Sequence, residues 1–308
     1  MIPLGQALDD YLTMRRGLGF KLARTEKLLA QFISYLDDVG ADIVTVEHAL
    51  TWASLPAGGD RSWWAYRLSV VRGFATYLQT LDPATEVPAA ELLPGRPRRA
   101  TPYLYSDVEI AALIAAADTL RFPLRVATYK TLIGLLAVTG MRVGEAIRLD
   151  RDDLDLAHEL LVVRDGKFGK SRELPLQPST IRALRDYLRL RDRLHPAPSA
   201  PALLISPAGT RLLYCNVHAT FRQLRRRAGL QPRSASCRPR IHDLRHTFAV
   251  RTLLDAYRSE ADVQARLPLL STYLGHVDPG ATYWYLSAAP ELLALAGERL
   301  ERHLEARS

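Results

Sequence analysis

From Leu4 to Leu81 the apolar positions fall at the spacing of one helix face. Leu4, Leu8, Tyr11 and Leu12 form a first stripe. Leu28, Leu29, Phe32, Ile33 and Leu36 form a second, and Val46, Ala49, Leu50 and Ala53 predict a shorter third helix. Residues 61–81 predict a long fourth helix with Trp64, Leu68, Val71, Ala75 and Leu78 in its stripe and Arg61, Arg67 and Arg72 on its surface. Trp63 and Trp64 read as core, with stacking on bases or sugars as the alternative.

The pattern then changes. Residues 82–102 carry Pro83, Pro88, Pro94, Pro97 and Pro102 with Arg96, Arg98 and Arg99. Proline removes backbone donors and breaks helix periodicity, so a linker is expected at 94–105, between domains at 1–93 and 106–308. Ser106 and Glu109 have capping-box spacing at the head of the second domain. A helix over 126–138 is stopped by Thr139-Gly140. Short strands are expected at 160–163 and 172–176, flanking an Asp-Gly-Lys-Phe-Gly-Lys-Ser turn. Helices resume after Pro178, after Cys215 and from His242, and a terminal helix carries Leu293, Leu300 and Leu304 on one side. The fold class is mainly α with a small β-sheet (α+β).

Composition narrows the partners. The 308 residues carry a net charge of +8, with arginine supplying most of the positive charge. That balance favours a polyanion, nucleic acid or an anionic membrane surface, over a neutral partner. The longest apolar run, 131–138, is too short to span a bilayer, so no membrane role is expected. Gln6, Asp9 and Asp10 are unlike a secretory signal. Cys215 and Cys237 have no ligand-spaced neighbours, so a bacterial cytoplasm, without disulfide framework or metal site, is the expected setting. There is no P-loop and no carboxylate cluster for two-metal chemistry, and no cofactor is expected.

Four segments of the second domain supply cations and a hydroxyl. In Thr139-Gly140-Met141-Arg142-Val143-Gly144-Glu145, the glycine ends one helix and puts Arg142 in the first turn of the next, where Glu145 can hold its guanidinium. Lys167 and Lys170 occupy the hairpin tip. In His242-Asp243-Leu244-Arg245, an imidazole and a fork of N–H donors stand at i and i+3 on one helix face. Leu274-Gly275-His276 is followed, nine residues after the histidine, by Tyr285. Taken singly, these read as a surface salt bridge, a solvated turn, a basic surface and an aromatic core.

Together, in this order and spacing, they resemble the tyrosine recombinase family, which includes phage integrases and transposon integrases. The resemblance runs from about Tyr103 to Leu292, and the N-terminal helices match the family's core-binding domain in size and class only. It implies that Arg142 and Arg245 bind the scissile phosphate, that Lys167 protonates the leaving oxygen, that His242 and His276 complete the site, and that Tyr285 is the nucleophile. His242 and His276 are 34 residues apart, longer than the family pattern, with the extra length in 254–267. That spacing, with Tyr283-Trp284-Tyr285-Leu286, resembles integrases of multi-recombinase transposons. The resemblance further implies cleavage and rejoining of a double-stranded DNA recombination site through a 3′-phosphotyrosine. It implies a homo-oligomer (dimer or tetramer) on DNA, sister recombinases as candidate partners, and a terminal helix passed to a neighbouring protomer, with folding back onto its own domain as the alternative. A type IB topoisomerase and a non-catalytic DNA-binding subunit are the alternatives. Arg222, Arg225, Arg226 and Arg227 share one helix and can track a DNA backbone.

Overall fold

The computed structural model describes residues 3–55, 58–93, 101–164, 171–259, 262–276, 278, 280–288 and 290–305. By contact the chain divides into two compact units, Met1–Arg99 and Ala100–Ser308.

The first unit consists of α1 (Leu4–Gly17), α2 (Ala23–Asp38), α3 (Val46–Ser54) and α4 (Arg61–Gln79). The Thr45 hydroxyl accepts from the His48 N–H and the Asp60 carboxylate from the Ser62 N–H, so side chains satisfy donors that the first turns of α3 and α4 leave open. The stripes meet in a core of Leu29, Phe32, Leu36, Val71 and Phe74. Arg67 departs from the surface position expected for it. It is buried, donates to the Trp52 carbonyl at 2.7 Å, and lies 3.7 Å from the centre of the Trp52 ring. The indole face and that carbonyl replace the water a surface arginine would hold. Arg72 donates to the Pro88 carbonyl at 2.8 Å, and Glu86 accepts from the Val46 N–H at 2.7 Å. The front of the proline-rich stretch is thereby laid on the helices.

The second unit opens with α5 (Asp107–Ala116), whose capping box closes between Ser106 and Glu109. Then come α6 (Pro123–Thr139), α7 (Val143–Arg148), strands β1 (Leu154–Asp155), β2 (Leu160–Val163) and β3 (Arg172–Pro175), α8 (Pro178–Leu194) and α9 (Tyr214–Arg227). The strands form one antiparallel sheet, with Leu161 opposite both Leu154 and Leu174. All three leucines are buried on one face, as a two-residue alternation requires. Tyr103 and Tyr105, inside the span expected as linker, pack in this unit's core beside Leu113, Leu132 and Leu136.

A second cluster forms around α10 (Asp243–Arg258), α11 (Val263–Leu274), α12 (Gly280–Ala288) and α13 (Pro290–Glu305). Leu253, Leu270, Leu274, Tyr285 and Leu292 are among its buried members. The start of the terminal helix therefore folds onto its own unit through Leu292, with Leu295 against the cluster, while Leu293 is exposed. The side chains of Leu300 and Leu304 lie outside the described residues. Among the described residues no helix is long and apolar enough to cross a membrane.

Candidate active site

Two glycine-capped helix ends build the site. Gly140 ends α6 in the left-handed region at φ 60°, and a side chain there would overlap the Phe248 ring. The turn delivers Arg142 as the N-cap residue of α7, at φ −74° and ψ 146°, one position ahead of the first turn expected for it. Arg142 donates from its backbone N–H to Glu145 Oε2 at 2.9 Å and from Nη1 to Oε1 at 2.7 Å. Arg172, the first residue of β3, donates from Nη2 to Glu145 Oε2 at 2.8 Å. Burial alone would raise the Glu145 carboxyl, but donation from Arg172 and from the Arg142 backbone overcomes this and takes it to about 2. Glu145 is a permanent anion between two guanidiniums.

Gly275 ends α11 at φ 67°, and the His276 N–H folds back to the Ser271 carbonyl at 2.9 Å. The carbonyls of Tyr273, Leu274 and Gly275 then lie at a helix end, where intrahelical donors run out and the dipole is negative. Each accepts from an arginine: Tyr273 from Arg172 Nε at 2.8 Å, Leu274 from Arg245 Nη2 at 2.7 Å, and Gly275 from Arg142 Nη2 at 3.3 Å. Three consecutive carbonyls thus hold three cations. Arg245 also donates to the Gly140 carbonyl at 2.8 Å, which joins the two glycine turns. It is 2% exposed, and burial followed by the Arg142 charge lowers it to about 10, so it stays cationic at neutral pH.

His276 lies 2.9 Å from Arg245 Nη2 through Nε2 and 2.7 Å from Thr282 Oγ1 through Nδ1. A guanidinium only donates, so Nε2 accepts and Nδ1 carries the proton given to Thr282. The His276 ring stacks on Tyr285 with centroids 6.1 Å apart. His246 lies 5.4 Å from the Tyr285 ring, 5.1 Å from Trp284 and 5.0 Å, edge-on, from His242. Tyr285 is 2% exposed, whereas Tyr283, two residues earlier on α12, is 56% exposed. Desolvation, then neighbouring cations, lowers His276 to about 4 and His242 to about 4, although the outer surface of His242 is open to solvent. His246 falls to about 3 through desolvation and then the His242 and Arg240 charges. All three rings are neutral at pH 7.

Of the expected residues, Arg142, Arg245 and His276 are joined through the two turns, Tyr285 stacks on His276, and His242 reaches Tyr285 through His246. Lys167 and its neighbour Lys170 lie outside the described residues. Sequence reasoning passed over Arg172, His246 and Thr282. Arg172 stood in view beside the hairpin, but its partners are 27 and 101 residues away. On α9, Arg222, Arg226 and Arg227 are exposed, while Arg225 turns inward to the Pro239 carbonyl at 3.4 Å. Among the described residues no group of three or more His, Cys, Asp or Glu side chains is placed to hold a metal ion.

Forked cations beside neutral imidazoles and a phenol are suited to holding an anionic group. Residues 104–291 match the model of the phage integrase family. A putative integrase/recombinase of Sinorhizobium fredii, y4rB, is 46% identical over 310 residues, covering 98% of each chain. The chain belongs to the phage integrase family and is a tyrosine recombinase. Two solved structures share the fold. The Tn1549 transposon integrase in complex with a circular intermediate DNA is similar at a TM-score of 0.66 and 16% identity, over 96% of this chain and 99% of that one. A lambda integrase tetramer bound to a Holliday junction is similar at 0.62 and 18% identity, over 92% and 77%.

Proposed function

We propose that this recombinase is site-specific and that it cleaves and rejoins double-stranded DNA through a 3′-phosphotyrosine on Tyr285. In this reading Arg142 and Arg245 bind the non-bridging oxygens and neutralise the charge that grows on them in the transition state. The Tyr285 oxygen bonds to phosphorus and its proton passes to neutral His242, while the bond to the 5′-oxygen breaks and that oxygen takes a proton from Lys167. The phosphotyrosine keeps the bond energy, and a free 5′-hydroxyl then reverses the step on a second duplex. His276 keeps Arg245 aimed. Donation from His276 to the phosphate would call for a proton on Nε2, the atom that here accepts from Arg245. The observation that carries the reading is the shared helix end: the carbonyls of 274 and 275 hold both candidate phosphate ligands, and the next residue, His276, stacks on Tyr285.

The proposed setting is integration or excision of a mobile element in a bacterial cytoplasm, on a homo-oligomer assembled on DNA, alone or beside sister recombinases. The name of the y4rB relative and the 34-residue interval between the two histidines support it. The first unit takes the part of a DNA-binding domain, and the second, which includes Tyr103 and Tyr105 ahead of the boundary expected at 106, takes that of the catalytic domain.

The test is a nicked cognate duplex that loses its short leaving strand on cleavage. The wild type accumulates a protein–DNA adduct that survives denaturant. Tyr285→Phe keeps the buried ring, binds DNA and forms no adduct, and Tyr283→Phe still forms one. An adduct mapped to Tyr283 moves the nucleophile, and no adduct from the wild type on any cognate site leaves a silent DNA-binding subunit.

A further inference from the structure

Arg172 is the cation of this site that the proposed chemistry does not use. Its side chain is 12% exposed and its guanidinium is directed at protein groups: Nε at the Tyr273 carbonyl (2.8 Å), Nη2 at Glu145 Oε2 (2.8 Å) and Nη1 at Glu145 Oε1 (3.4 Å). Both Glu145 oxygens are therefore shared between Arg172 and Arg142. A carboxylate shared with no second cation would draw Arg142 into a closed two-oxygen pair and cancel its charge. With Arg172 in place, Arg142 is left at 28% side-chain exposure with one oxygen of the pair, and the three groups together keep a net positive charge. The same guanidinium fixes the first of the three carbonyls at the end of α11, and the next two hold Arg245 and Arg142. The fit extends to Gly275, where a Cβ would stand 2.9 Å from Arg172 Nη1.

We propose that Arg172 is a positioning residue for strand cleavage: shared through Glu145 and tied to the 273–275 turn, it sets Arg142 and Arg245 against the scissile phosphate without touching DNA. This rests on the strand-cleavage reading. The experiment measures adduct formation by the full chain on two nicked duplexes, one with an ordinary scissile phosphodiester and one with a methylphosphonate there. The methylphosphonate linkage is neutral and has less need of charge neutralisation. Arg172→Lys keeps the charge and loses the fork, so its rate should fall about tenfold or more on the phosphodiester and about threefold or less on the methylphosphonate. Binding should keep its salt dependence, because loss of a phosphate contact would lower the slope by about 0.9. If the lysine variant unfolds, E145Q/R172Q, which removes both buried charges together, is put through the same comparison. An equal fall on both substrates, no fall on either, or a lowered salt slope each overturns the positioning role. A wild type that forms no adduct overturns the cleavage reading itself, and the inference with it.

Discussion

His246 shows what a neutral imidazole does at this site. Its side chain is 14% exposed, its Nδ1 is buried with no hydrogen-bond partner among the described residues, and its ring faces Trp284 and Tyr285. The groups facing it are Asp243, 3.9 Å from Nε2, and the cations Arg240 and Arg245, with His242 and His276. Desolvation and those cations outweigh the single carboxylate, so the folded ring titrates near 3 while an unfolded one titrates near 6.5. Between those values the unfolded chain binds a proton that the folded chain refuses, and stability rises with pH. The contribution is complete above the unfolded pKa and is lost as the pH falls below it. Urea unfolding at about pH 7 and pH 5 should show a loss in the wild type, bounded at about 1.4 kcal/mol per pH unit for one ring. His246→Phe should show a smaller loss over the same interval. An identical pH dependence in both chains would place the titration elsewhere. Glu145 adds little in this window, because its stabilising contribution is lost only as the pH falls below the unfolded carboxyl value of 4.5 toward about 2.

At the scale of the element, the end of α11 is the part on which most of the site hangs. Gly275→Ala puts a side chain into a left-handed position and 2.9 Å from Arg172 Nη1. The strained backbone should cost about 1–3 kcal/mol in thermal or urea unfolding. Adduct formation should fall further than that stability loss explains, since Arg172, Arg142 and Arg245 all bond to this turn. A variant with wild-type cleavage would show that the turn does not set the arginines. Much of this framework was legible in the sequence. Gly140 announces a helix end, the Ser106–Glu109 box announces α5, and β2 and β3 lie where the apolar runs place them, whereas Gly275 stands in the sequence only as part of the Leu-Gly-His segment. Strand β1 was not legible, because two residues are too few to show a period. Nor was the burial of Arg67, which depends on the Trp52 face brought over by another helix. Spacing singled out Arg142 and Arg245 and hid what holds them. Arg142 bonds a carbonyl 133 residues away and Arg245 one 105 residues away, and no local pattern encodes such pairs.

For the whole molecule, the net charge of +8 belongs to residues 100–308, while residues 1–99 balance 11 lysines and arginines against 11 aspartates and glutamates, so DNA contact by the first unit rests on local clusters of cations. In the first, Lys21, Arg24, Lys27 and Arg61 are exposed, and in the second Arg222, Arg226 and Arg227 are exposed along α9. Arg24 also lies 4.7 Å from the Trp63 ring and 5.1 Å from that of Tyr66, which holds this cation on a partly open aromatic surface. If both sets meet phosphates, each contact releases condensed counterions, and log K falls against log salt with a slope of about 0.9 per phosphate. Affinity of the full chain for its cognate duplex should therefore drop by about a thousandfold between about 50 and 200 mM salt. Replacing Lys21, Arg24 and Lys27 with glutamine in one full-length variant, and Arg222, Arg226 and Arg227 in another, should each lower the slope by about 2 to 3. Neither set touches the site, so adduct formation at saturating protein should be unchanged in both. A wild-type slope in the first variant would confine DNA binding to the second unit and remove the first from the DNA-binding part proposed for it.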